Sequence, residues 1–98
     1  MIKMVHKNGY HFPKIFCDFC GELIEKNGNV VWRDDLNKTD SSTPVLFAHK
    51  GCDKTFTDDG EFYLWQELEA SLVYLFANTK IDYPKAKETA MRLSQIGL

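Results

Sequence analysis

Four side chains in this 98-residue sequence are of the type and spacing that hold a metal ion: Cys17, Cys20, His49 and Cys52. They form two pairs, each with two intervening residues, on either side of residues 21–48. Two residues between donors let both reach one ion from a single turn, and two such pairs fill a tetrahedral site. A Cys3His set leaves no open position for water or substrate, so the pattern specifies one structural zinc ion rather than a reaction at the metal. Three thiolates and a neutral imidazole around a divalent cation leave the loaded site one negative charge.

Other chemistries fit these residues less well. Cys17-Asp18-Phe19-Cys20 has the spacing of a thioredoxin-type redox pair, but that reading needs a longer α/β scaffold and leaves His49 and Cys52 unexplained. Zinc deaminases join a His/Cys/Cys site to a glutamate in an H-x-E motif. Here His6, His11 and His49 are followed two residues on by Asn8, Pro13 and Gly51. A second metal site at His6 and His11 lacks any acid or cysteine at ligand spacing, and both are read as surface or half-buried histidines. No catalytic residue and no small-molecule substrate emerges.

The elements that must position the ligands are legible on both sides of them. Residues 2–6 and 10–16 are short apolar and aromatic stretches split by Asn8-Gly9, which predicts a tight hairpin with Pro13 at an edge or bulge. Gly21, just after the first pair, supplies the positive φ that turns backbone amides toward thiolates, so Phe16 to Gly21 reads as a zinc knuckle. Asn29 to Arg33 is β-branched and aromatic after Asn27-Gly28, and predicts a strand entered from a turn. Residues 34–44 collect loop-forming Asp, Asn, Ser, Thr and Pro. Val45 to His49 then predicts an antiparallel return strand that delivers the second pair into a helical turn.

Beyond the ligands, Leu64, Trp65, Leu68, Leu72, Leu75 and Phe76 draw an apolar stripe that predicts a helix from Glu61 to Asn78, with Asp58 and Asp59 at its N-terminal end. Val73 and Tyr74 widen that stripe, so the helix is expected to be covered on two sides, and Trp65 to cover the zinc-binding part. Pro84 suits the first position of a final helix whose Ala86, Ala90, Leu93 and Ile96 or Gly97 share one face and pack back on the longer one.

Knuckle, hairpin, then ligands on a helical turn is a layout that resembles the treble-clef zinc finger. The spacing C-x2-C-x28-H-x2-C is similar to the zinc finger of poly(ADP-ribose) polymerases and, with a longer central insert, to the first half of a LIM domain. The resemblance covers residues 16–57. In the polymerase fingers, basic and apolar residues around the hairpin engage broken DNA ends. Here Arg33 and Lys38 lie among Asp34, Asp35 and Asp40. A LIM domain needs a second ligand set, and no cysteine follows Cys52. An HNH-type nuclease shares the layout but needs a histidine base on the hairpin, and residues 21–48 contain none.

Composition bounds the rest. A hydrophobic share of 44% and a charged share of 27% describe an ordinary folded chain with no segment apolar enough to span a membrane. An odd number of cysteines, all in ligand-like pairs, points to a reducing compartment, and the N-terminus lacks the apolar stretch of a signal peptide; the expectation is cytoplasmic. Residues 1–56 hold eight Lys/Arg and seven Asp/Glu, residues 57–98 four and seven, so neither half has the basic excess of a typical nucleic-acid binder. Within the first half, Lys3, His6, Lys7, His11 and Lys14 interleave with Tyr10, Phe12 and Phe16 in an arm free of acids that could contact phosphates and stack bases.

The expected fold is α+β in one domain: a treble-clef-like finger on short antiparallel strands over residues 1–57, then two helices over 58–98. The expected function is a non-enzymatic protein-interaction or adaptor module with one structural zinc. The alternative is a nucleic-acid-binding regulator.

Overall fold

In a computed structural model, residues 1–34, 42–54, 57 and 62–92 are described. The architecture is α+β, with antiparallel strands in two sheets and two helices. Strands β1 (Ile2–Lys7) and β2 (Tyr10–Ile15) form the expected hairpin. Asn8 and Gly9 both have positive φ, 54° and 80°, as a two-residue turn matched to strand twist requires. Pro13 lies opposite Met4 in this two-stranded ribbon, where a missing amide hydrogen is tolerated.

The second sheet has the order β4-β3-β5, with β3 (Gly28–Arg33) between β4 (Leu46–His49) and β5 (Tyr63–Glu67), all antiparallel. Its central position explains why β3 is buried from Gly28 to Val31. Helix α1 (Leu68–Ala77) follows β5 directly, and α2 (Tyr83–Arg92) follows a short turn. Among the described residues, no helix is long and apolar enough to cross a membrane.

The helix expected from Glu61 to Asn78 is therefore divided. Tyr63 to Glu67 is a strand, because the free edge of β3 offers a ladder to an aromatic and branched segment that a helix would leave without partners. The stripe from Leu68 onward is helical as expected. Trp65 pairs with Val31 on the outer strand and stays 61% exposed, so it does not cover the zinc-binding part. Nor does α2 pack back along α1: a ring contact between Phe76 and Tyr83 joins their near ends, while the side chains of residues 83–89 are exposed. Asp58, Asp59 and Leu93 onward, and most of the loop expected at 34–44, lie outside the described residues.

The core is small. Cys17, Ile24 and Ala48 are buried together, with Ile15, Phe19, Phe47, Cys52 and Leu68 packed against them. Leu68 thus anchors the start of α1. Gly28 makes this approach possible, since a Cβ there would stand 2.8 Å from Ile24 Cγ2 and 3.2 Å from Leu68 Cδ2.

Candidate metal centre

The first ligand pair is delivered by a tight loop whose ends are pinned as a miniature hairpin. The Cys17 N–H donates to the Glu22 carbonyl at 2.8 Å, and Phe16 bridges Leu23. Within the loop the Gly21 N–H donates to the Cys17 carbonyl at 2.9 Å, and Gly21 takes φ 82°, which a side chain would resist. This geometry aims the Phe19 and Cys20 N–H groups at the Cys17 sulfur, each 3.4 Å from it. The expected knuckle is present.

Strand β4 ends on His49, and the chain then reverses through Gly51 at φ 98°, closing with a Cys52 N–H bond to the His49 carbonyl at 3.0 Å. The second pair therefore sits on a single turn, not on a helix, and the positive φ at Gly51 is what stops a helix from starting there. Asp53 braces this turn, accepting from the Gly51 N–H at 3.2 Å and from buried Asn29 Nδ2 at 3.2 Å.

Turn and knuckle converge. One donor atom from each of Cys17, Cys20, His49 and Cys52 lies within 4.8 Å of every other, close enough to hold one metal ion. Around a tetrahedral zinc, bond lengths of about 2.3 Å to sulfur and 2.0–2.1 Å to nitrogen place sulfurs about 3.8 Å apart and sulfur and nitrogen about 3.6 Å apart. His49 Nδ1 lies 3.4 Å from Cys20 Sγ and 3.9 Å from Cys52 Sγ, on either side of that value. The donor set suggests zinc.

The histidine is also presented in the form a metal requires. A carbonyl can only accept, so the 2.8 Å contact between His49 Nε2 and the Leu23 carbonyl fixes the proton on Nε2. The neutral ring then faces the thiols with its bare Nδ1 lone pair, and the carbonyl holds the imidazole plane.

Without a cation, three thiols this close cannot ionise alike. Burial pushes Cys17 up, but N–H donors from His49, Cys20 and Phe19 more than offset it and bring the thiol down to about 6. Cys52 is pushed up to about 11, by burial first and then by its contacts with Cys20 and Cys17. His49 is raised above its usual 6.5, by the Leu23 carbonyl first and by Cys17 next. One thiolate forms readily and the next is resisted, as expected of acidic groups that share a site built for a positive charge.

Asp18, between the two first ligands, is a residue that sequence reasoning missed. Its Oδ2 accepts from the Phe47 N–H at 2.7 Å while its own N–H donates to the Phe47 carbonyl at 2.7 Å. This reciprocal clamp seals the outer edge of β4 with the knuckle and fixes the distance between the two ligand pairs. His6 and His11, set aside as unaccompanied, are brought together: their Nδ1 atoms lie 2.6 Å apart. No family model, curated protein or solved structure matches the chain.

Proposed function

We propose that this chain is a non-enzymatic protein-interaction module in which one structural zinc ion clasps the knuckle to the β3–β4 sheet so that α1 can be offered to a partner protein. The observation that carries the reading is α1 itself. Leu72, Val73, Tyr74, Leu75 and Phe76 are five consecutive apolar or aromatic residues, and all are exposed. Five consecutive apolar residues surround the last turns of the helix, as in a buried segment, and a contiguous apolar patch of this kind marks a contact surface. Beside it, α1 and the open sheet face enclose a groove of about 440 Å³ lined by Val30, Trp32, Phe47, Leu72 and Leu75. The closed Cys3His donor set supports a structural role for the metal.

The test is a pair of charge substitutions on the exposed face, Val73→Glu and Leu75→Glu, with zinc content and circular dichroism measured alongside. Crosslinking in the native cells should capture a defined protein with the wild-type chain that both variants lose while zinc and fold are kept. A wild-type chain that is crosslinked to nothing and stays monomeric would remove the basis for this reading.

One observation favours nucleic acid as a second reading. Strand alternation places Lys3, Lys7 and Lys14 on the same face of the β1–β2 hairpin as Tyr10 and Phe12, whose rings lie 6.4 Å apart. Three lysines on one aromatic face predict single-strand binding with a log–log salt slope of about −2. Absence of an anisotropy change with labelled single strands at low salt excludes it.

A further inference from the structure

The opposite face of the same hairpin carries the two histidines, and their placement is set by the turn. A two-residue loop makes Lys7 and Tyr10 the hydrogen-bonded pair that closes the hairpin, so the next pair, His6 and His11, is of the non-hydrogen-bonded kind. Side chains in such pairs stand closest together. The two imidazoles meet edge to face, with centroids 4.7 Å apart and planes at 90°. Their Nδ1 atoms lie 2.6 Å from each other.

We propose that His6 and His11 form a second metal site, separate from the Cys3His centre, that chelates a late first-row dication such as Ni2+ or Cu2+ through both Nδ1 atoms. Two nitrogens bound at about 2.0–2.1 Å lie about 2.9 Å apart when they meet the metal at a right angle, and about 3.3 Å apart at a tetrahedral angle. The observed separation is on the short side of both and nearer the right angle, which square-planar and octahedral ions use. Imidazole suits these ions, and they complete their coordination with water, which the exposed His6 and half-buried His11 allow. The neighbours on the same face, Met4 and Pro13, carry no charge, while the lysines point to the other side.

The experiment is a calorimetric titration of the zinc-loaded full chain with Ni2+, with zinc release monitored in parallel. The expected result is one saturable equivalent of Ni2+ without zinc release. His6→Ala and His11→Ala should each weaken it at least tenfold, and the double variant should be no weaker than either, because a chelate is lost with its first ligand. Broadening of amide resonances by paramagnetic Ni2+ should centre on residues 4–13. No saturable binding, unchanged binding in either single variant, or broadening centred on His49 and Cys52 would each overturn the proposal. In that case the two rings share a proton and nothing more.

Discussion

Zinc affinity at the Cys3His centre should depend on pH with a slope set by the unequal thiols. A metal takes thiolates and bare imidazole, so any proton still on a ligand is released on binding, and affinity rises with pH by one decade per unit for each proton released. Between pH 7.5 and 9, Cys17, held at about 6, is already a thiolate and releases nothing. Cys52, pushed up to about 11, is a thiol throughout that window and releases one proton for each ion bound. Log affinity should therefore climb by about one to two per pH unit, with Cys52 supplying one. As pH falls, His49, raised above 6.5, adds its proton first, and Cys17 adds another below about 6, so the curve steepens toward acid. The assay is competition against a chelating indicator of known pH dependence, with thiolate absorbance of the metal-free protein followed alongside. A slope near three from pH 7.5 to 9 would mean that all three thiols are protonated before binding. That result would refute a knuckle whose amides have already ionised Cys17.

Removing the metal with a chelator should abolish the cooperative melting of the region from the knuckle to the second ligand turn, since its buried core is little more than Cys17, Ile24 and Ala48; an unchanged melting temperature would sink the structural role. Asp18→Ala should cost about 2 kcal/mol in denaturant unfolding of the zinc-loaded protein, because it removes a charge-assisted bond and leaves the Phe47 N–H without its partner. Gly28→Ala should cost about 1–3 kcal/mol by overpacking against Ile24 and Leu68, with no change in zinc stoichiometry. Gly21→Ala should destabilise by about 1–2 kcal/mol through its φ of 82° alone, since nothing lies within 4 Å of the added methyl group.

The convergence of the four donor residues was legible because its information is local. Ligand spacing, Gly21 and the strand that ends on His49 are each written within a few residues, and the N-terminal hairpin is fixed by Asn8-Gly9 in the same way. What was lost depends on partners distant in sequence. Residues 63–67 carry helical spacing into α1 and aromatic strand character at once, and only the vacant edge of β3 decides between them. Alternation was the available signal: Tyr63, Trp65 and Glu67 face one way, Leu64 and Gln66 the other. The Asp18 clamp had no signal, because its partner is Phe47 and nothing near Asp18 marks it. Gly51 did carry a signal against a helical turn after His49, through its place between the ligands.

The part that carries the four donors and the helical part satisfy themselves by different means. Around the knuckle and β3, backbone groups are paired, ligands converge, and one ion can supply the cohesion that five small buried residues, Cys17, Ile24, Val30, Val31 and Ala48, cannot. Beyond Leu68 the described chain gains little from itself: α1 has no buried residue, and the side chains of residues 83–89 in α2 are exposed. Apolar surface on that scale is costly in water, and the described fold does not cover it. Leu68 packs against the buried cluster beside the four donors, and the helix it begins buries none of its own residues. The four convergent donors match in number the ligands of a closed tetrahedral site.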